Sequence, residues 1–168
     1  MAIIKLGANA ITALPSGVGG KVLQVVEFRQ TTVRSTTGTS WEAIVGMDSA
    51  ITPTSASNKI LICANFTLSS TNHGHVRFSR DNGSNYIGNG VSVASRSGVN
   101  FYANCDVNTA RPQSMMFLDS PNTTSLITYK AFWRVSSSVT YLNRTPNDTD
   151  AAFGSRGVSS VTLMEIAG

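Results

Sequence analysis

Apolar and polar residues alternate along most of the chain, in short runs separated by turn-forming residues. Alternation with a period of two is typical of strands that have one buried face. We see no segment with a convincing helical period and no internal repeat. The predicted strands lie at residues 22–30, 40–53, 59–70, 75–81, 85–90, 113–120, 125–136, 138–144 and 158–167. Their spacing of roughly ten residues predicts an all-β fold, an antiparallel β-sandwich or jelly roll.

Two local patterns refine this prediction. The run KILICANFTLSS at residues 59–70 is the most apolar of the chain and is therefore the best candidate for a central strand. Asn82 and Gly83 suit a type I′ turn, in which both central residues have positive φ. We therefore expect a hairpin in which residues 85–90 pair with residues 75–81. Residues 89–110 are rich in Gly, Ser and Asn and give no clear pattern.

The N-terminal segment differs from the rest of the chain. Residues 1–20 contain few charges and no helical period, which indicates an extended attachment arm followed by a head of residues 21–168. An apolar arm of this kind would be sticky in water unless it docks on another surface. Its apolar residues are Ile3, Ile4, Leu6, Ile11 and Leu14.

The stretch PSGVGGKV at residues 15–22 has the glycines and the lysine of a phosphate-binding loop, but the spacing is wrong. Such a loop has the pattern G-x-x-x-x-G-K-[ST] and leads into a helix. Here Pro15 stands where the first glycine is needed, Val22 stands in place of the hydroxyl, and a strand pattern follows. We therefore interpret the stretch as a hinge. Its hinge residues are Pro15, Gly17, Gly19 and Gly20.

The composition narrows the function classes. Only 13% of the 168 residues are charged, and the net charge is +4. The arginines are scattered rather than clustered on one element, so we expect no nucleic-acid partner. No stretch has the length of a membrane span or the pattern of a secretory signal, so we expect neither membrane insertion nor export. Cys63 and Cys105 do not form a metal-type pair, and the sequence leaves a disulfide between them open.

Few residues suggest site chemistry. His73 and His75 would share a face of a strand and could chelate a metal, or they are polar residues at a strand start. Asp148 and Asp150 resemble the start of a calcium loop but lack its glycine and distal glutamate, which favours an Asx-rich loop. No nucleophile motif accompanies the histidines. We therefore expect no enzyme activity, no cofactor and no catalytic residue.

Aromatic side chains offer a further surface, because ring faces stack on sugars. The alternative is that these rings pack in the core or in an interface. The candidates are Tyr86, Phe101, Tyr102, Tyr129, Trp133 and Tyr141.

Four stretches together give a family resemblance. They are LPSGVGGKVLQVV, ITPTSASNKILI, FLDSPNTTSLITYK and SSVTLMEIAG. The chain resembles small virion surface proteins of aquatic tailed bacteriophages, of the decoration-like and tail-fibre-like kinds. The resemblance implies a β-sandwich or jelly-roll head, often trimeric, behind a short attachment segment. It also implies synthesis in the host cytoplasm and a place on the virion surface.

These observations lead to two functional expectations. The first is a capsid decoration or cement-type protein, because one head and one short arm leave no room for a fibre shaft. It would form a homotrimer that hides its sheet edges and would dock on other virion proteins through its arm. The second is a tail-fibre tip or receptor-binding module, in which residues 89–110 and 145–157 contact host surface glycans.

Overall fold

Ten strands and no helix make up the part of the chain that the computed structural model describes, residues 20–168. Within this part, no helix could cross a membrane. The strands are β1 (Val22–Gln30), β2 (Arg34–Thr36), β3 (Glu42–Ile51), β4 (Lys59–Ser70), β5 (Gly74–Ser79), β6 (Phe101–Ala103), β7 (Arg111–Asp119), β8 (Ile127–Val135), β9 (Thr140–Leu142) and β10 (Ser159–Ile166).

The strands form two antiparallel sheets packed face to face. The first sheet has the order β1-β10-β4-β9-β2, with β7 also paired to β4. The second sheet has the order β3-β8-β5-β6. The prediction of an antiparallel β-sandwich is therefore confirmed, whereas the finer jelly-roll description stays a prediction.

Strand β4 is the centre of the first sheet, as its apolar sequence predicted. Residues 60–65 of β4 pair with β10 on one edge and with β7 on the other. Its inward side chains include Ile60, Ile62, Phe66 and Leu68, all fully buried. Burying each such side chain contributes about 1.5–3 kcal/mol to folding, so this one strand supplies a large share of the core.

Aromatic rings join the two sheets in the middle of the core. The Phe66 ring of the first sheet meets the Phe78 ring of the second edge to face, with centroids 5.7 Å apart. Phe101 of β6 lies 4.9 Å from Phe66. Offset and edge-to-face pairs add about 0.5–1.5 kcal/mol to the burial of each ring. This contact fixes β5 and β6, which carry the pocket described below.

The predicted hairpin at Asn82-Gly83 is half right. Both residues have positive φ, 59° and 93°, and the Ser84 amide donates to the Asp81 carbonyl at 3.4 Å. The predicted partner strand at 85–90 is wrong, because that segment makes only the single bridge between Ile87 and Phe78. The Phe78 amide donates instead to the Asn100 Oδ1 atom, at 2.9 Å. Asn100 and β6 therefore occupy the edge of β5.

The described chain begins tightly fixed to the sandwich. A Cβ atom on Gly20 would lie 2.3 Å from Cγ2 of Ile166, so a side chain there would require Ile166 to shift. The Ala167 amide donates to the Lys21 carbonyl at 2.9 Å. The predicted arm, with Ile3, Ile4, Leu6, Ile11 and Leu14, lies outside the described residues, as do the hinge residues Pro15, Gly17 and Gly19. Gly20 itself is exposed and lies against the end of β10, and its role as a hinge stays a prediction.

Candidate functional site

The outward side of the first sheet carries a continuous apolar row across four strands. The strand register places Val25 of β1 beside Met164 of β10, Met164 beside Leu61 of β4, and Leu61 beside Leu118 of β7. In the next row, Cys63 of β4 lies beside Met116 of β7, and the row continues through Thr162 of β10 to the charged Glu27 at the β1 margin. We call this surface the apolar outer face. Its residues are Val25, Leu61, Cys63, Met116, Leu118 and Met164.

Several of these side chains are largely open to solvent. Met116 is 69% exposed, Val25 57% and Leu118 49%. A shallow depression of about 410 Å³ lies beside Cys63 and Met116. Soluble monomers rarely expose apolar side chains in contiguous groups, and such groups mark interaction sites. The apolar outer face is therefore a candidate contact surface.

The outward side of the second sheet has a different chemistry, basic and aromatic. Arg77 of β5 lies with its guanidinium carbon 4.3 Å from the centre of the Trp41 ring and 4.9 Å from that of Tyr86. Arg134 of β8 lies 5.3 Å from the Trp41 ring. Cation–π contacts of this kind fix the guanidinium groups in place.

Arg77 also holds the loop that crosses this face, residues 91–99. Its Nε atom donates to the Gly98 carbonyl at 2.6 Å, and its Nη2 atom donates to the Ser92 Oγ atom at 3.2 Å. Gly98 crosses Gly90 so closely that a Cβ atom on Gly98 would lie 1.7 Å from the Gly90 carbonyl oxygen. A glycine is therefore required at position 98, and the loop is packed on the sheet.

Between this loop and the sheet lies an open cavity of about 480 Å³, which we call the basic pocket. None of its nine lining residues is acidic. The lining consists chiefly of His73, His75, Arg96, Ser97, Tyr102 and Arg134.

Two polar atoms of the basic pocket have no partner. The Nε atom of Arg134 and the Nδ1 atom of His75 are buried and form no hydrogen bond, while Arg134 Nη2 donates to Ser97 Oγ at 2.7 Å. Burial and then the positive charges of Arg134, His73 and Arg77 lower the pKa of His75 below its ordinary value of 6.5. The neutral form of His75 is therefore favoured, and its Nδ1 atom is unused.

The structure brings His73 and His75 together around one tyrosine rather than around a shared metal position. The Tyr102 ring is near both, with its centroid 5.8 Å from that of His73 and 5.6 Å from that of His75, and its hydroxyl is hydrogen bonded to His73 Nδ1. Arg134 pairs directly opposite His75 in the sheet. A nearby guanidinium disfavours a bound cation, so this pair favours an anion over a metal.

Asp148 is engaged by two arginines. Its carboxylate oxygens lie 2.5 Å from Arg144 Nη1 and 2.6 Å from Arg156 Nη2. Asp150, the other candidate of this loop, is exposed. Across residues 20–168, no three His, Cys, Asp or Glu side chains are grouped in a way that could hold a metal ion. The Asp148 contacts instead tie residues 144 and 156 together at the base of the loop.

The two loops that the sequence proposed as glycan contacts meet each other. The Asn147 amide donates to the Val107 carbonyl at 2.7 Å, and Asn147 Nδ2 donates to Asn108 Oδ1 at 3.2 Å. Nearby, Cys105 accepts from the Ser70 amide and donates to the Thr109 carbonyl. Both cysteines are free thiols.

The six candidate aromatic residues divide into two groups. Phe101, Tyr129 and Trp133 are buried in the core, and the Tyr129 hydroxyl donates to Asp119 Oδ2 at 2.7 Å. Tyr86, Tyr102 and Tyr141 remain at the surface. Only Tyr102, which is 44% exposed, lines the basic pocket.

Sequence reasoning identified His73, His75 and Tyr102 as candidates but missed Arg96 and Arg134, the two guanidinium groups of the basic pocket. The alternation of HVRFSRD places His75 and Arg77 on one face, which was a usable signal. Nothing local indicated that Arg134 would join them, because that depends on the pairing of β5 with β8. Arg96 lies in the stretch that gave no pattern.

Comparison of the sequence with known proteins finds no matching family model and no matching curated protein.

Proposed function

We propose that this chain is a non-enzymatic structural protein of a tailed-bacteriophage virion. In this proposal it is a capsid decoration or cement-type protein that forms a homotrimer and docks on other virion proteins through residues 1–20. The sequence resemblance supports the virion assignment, and the β-sandwich fold agrees with it. Function is not determined by fold, so the argument depends on the surface.

The apolar outer face is the observation that carries the proposal. A row of Val25, Met164, Leu61 and Leu118 crosses four strands without a charged residue. Methionine and apolar side chains are typical of the centres of subunit interfaces, where lysine and glutamate are depleted. We assign this face to the contact between copies of the chain, because closed symmetry would bury it in every copy.

The position of Gly20 supports the second contact, the one made by the arm. Gly20 packs on the side chain of Ile166, the last residue of β10. Ile166 follows Met164 on the outward side of the sheet, since both alternate with the buried Leu163 and Glu165. The described chain therefore starts beside Ile166, at the end of β10 on the outward side of this sheet.

A particle reconstruction with a count of copies tests the proposal. A decoration protein is expected in tens to hundreds of copies on the shell, each with density for residues 1–20 against a capsid subunit. A handful of copies at the tail would contradict the proposal and favour the alternative.

The alternative is a tail-fibre tip or receptor-binding module that contacts host surface glycans. The basic pocket favours it, because the pocket lies under residues 91–99, within the loop that the sequence proposed for such contacts. Purified protein that binds host cells or their polysaccharide would support this function. Failure to bind either would count against it.

A further inference from the structure

We propose that the basic pocket binds the oxyanion group of an acidic saccharide, with Arg134 and His75 contacting the anion and Tyr102 contacting the sugar ring. This inference does not depend on where the chain sits on a virion. The purified protein alone can test it, so its failure and that of the proposed function are distinguishable.

Charge is the first argument. The pocket gathers the guanidinium groups of Arg96 and Arg134 beside the imidazoles of His73 and His75, and none of its lining residues is acidic. Within residues 20–168, the ion pairs involve Arg80, Arg144 and Arg156, so Arg96 and Arg134 have no carboxylate partner in the described structure. Guanidinium groups without a carboxylate partner suit a carboxylate, sulfate or phosphate group, which they contact with two parallel hydrogen bonds.

Unused hydrogen-bonding atoms are the second argument. A buried polar atom without a partner costs about 1–3 kcal/mol, and unsatisfied groups of this kind are rare in native proteins. The pocket has two, Arg134 Nε and His75 Nδ1, on side chains that pair opposite each other in the sheet. One oxyanion between them would satisfy both, with His75 in its Nδ1–H form. The serine hydroxyls of the lining add donors around it.

Shape and rigidity are the third argument. A cavity of about 480 Å³ is much larger than a free sulfate ion needs and falls in the range of small-molecule sites. The exposed ring of Tyr102 lines the same space and offers a flat apolar surface to a sugar ring. The Arg77 clamp on residues 91–99 holds the pocket open before a ligand arrives, which lowers the entropic cost of binding.

A nuclear magnetic resonance titration of the 15N-labelled full chain tests the site. Sodium glucuronate is the probe, glucose is the neutral control and sodium sulfate is the control without a sugar ring, all at one ionic strength. We expect saturable shifts at residues 73–75, 95–99 and 134–136 with glucuronate, with a Kd on the order of 1 mM. We expect weaker binding of sulfate and none of glucose.

Each other pattern of binding overturns part or all of the proposal. If glucuronate causes no saturable shift, the basic pocket is not a binding site for this anion. If sulfate binds as tightly as glucuronate, the proposed contact with the sugar ring is wrong. If glucose binds as tightly as glucuronate, the proposed contact with the oxyanion is wrong.

Charge-removing variants locate the contact. Arg134→Gln is expected to lower the affinity for glucuronate about tenfold or more, because it removes a charged hydrogen-bond donor. Arg96→Gln, at an exposed position, is expected to weaken binding a few-fold. Arg29→Gln removes the same charge from the outward side of the other sheet and is expected to bind as the unaltered chain does. If Arg134→Gln fails to fold, unchanged affinity in Arg96→Gln overturns the assignment.

Discussion

Glu165 is a buried carboxylate on an inward position of β10, among apolar side chains. Hydrogen bonds from three partners surround it. Gln24 Nε2 donates at 2.7 Å, Asn58 Nδ2 at 2.5 Å, and the amide and hydroxyl of Thr54 at 2.6 and 2.8 Å. Burial alone would raise the pKa of Glu165, but these hydrogen bonds outweigh it and lower the pKa to about 2. This charge joins β1, β10 and the turn between β3 and β4.

Replacing this carboxylate should destabilise the protein. Glu165→Gln puts an amide where two oxygens accept four hydrogen bonds, so at least one buried donor loses its acceptor. We expect the free energy of unfolding to fall by about 2–4 kcal/mol, measured by urea denaturation. Glu27→Gln is the matched control, since Glu27 is exposed on the adjacent β1, and it should change stability by less than about 0.5 kcal/mol.

The same carboxylate predicts a pH dependence. Its pKa falls from an ordinary value of 4.5 to about 2 on folding, so the unfolded chain takes up the proton first as the pH falls. The stabilisation by Glu165 is therefore complete above about pH 4.5 and is lost as the pH falls towards 2. Urea denaturation across this range should show the stability difference between the unaltered chain and Glu165→Gln shrinking with falling pH. A difference that stays constant would contradict this.

The sequence contained half of the information about Glu165. The alternation of VSSVTLMEIA predicts the strand and places Glu165 on the same face as Val161 and Leu163, which are buried. This shared face was a signal in the sequence that the charge of Glu165 would be buried. The partners could not be predicted, because Gln24 and Asn58 reach Glu165 only through the pairing of β1, β10 and β4.

Among the strands, those with a long alternating apolar pattern were predictable from the sequence, and those with a short one were not. The bounds of β1 and β4 coincide with the predicted runs, since both have long apolar patterns between clear turns. The three-residue strands β2 and β6 were missed, because three residues are too few to show alternation. Tertiary contacts define them instead: β2 pairs with β9, and β6 pairs with β5.

The loop over the basic pocket gives a prediction whose control is Gly90, the residue that Gly98 contacts. Gly98→Ala would put a Cβ atom 1.7 Å from the Gly90 carbonyl oxygen, so the loop must move away from the sheet. We expect a loss of about 1–3 kcal/mol in the free energy of unfolding and faster amide exchange at residues 91–99, measured by hydrogen–deuterium exchange. At Gly90 the nearest atom to an added Cβ lies 3.8 Å away, so Gly90→Ala should leave exchange unchanged.

At the scale of the whole molecule, the apolar outer face predicts self-association. Met116→Lys places a charge on the apolar outer face, where desolvation in a subunit contact would cost several kcal/mol, so the proposed trimer should become a monomer in analytical ultracentrifugation. Val45→Lys is the matched control, since Val45 of β3 in the other sheet is 67% exposed and Met116 is 69% exposed. If both variants, or neither, change the mass, the contact lies elsewhere.

The division into arm and head predicts the result of a truncation. Residues 20–168 contain both sheets and a closed core, and Gly20 and Lys21 are already held by Ile166 and Ala167. Removing residues 1–19 should therefore leave the thermal unfolding midpoint within a few degrees of the full chain, measured by circular dichroism. Under the proposed function, the truncated head should also no longer bind particles that lack the protein, because the apolar residues Ile3, Ile4, Leu6, Ile11 and Leu14 are gone. If the truncated head folds and still binds, the attachment surface lies on the head. If the truncated head does not fold, residues 1–19 are needed for the core.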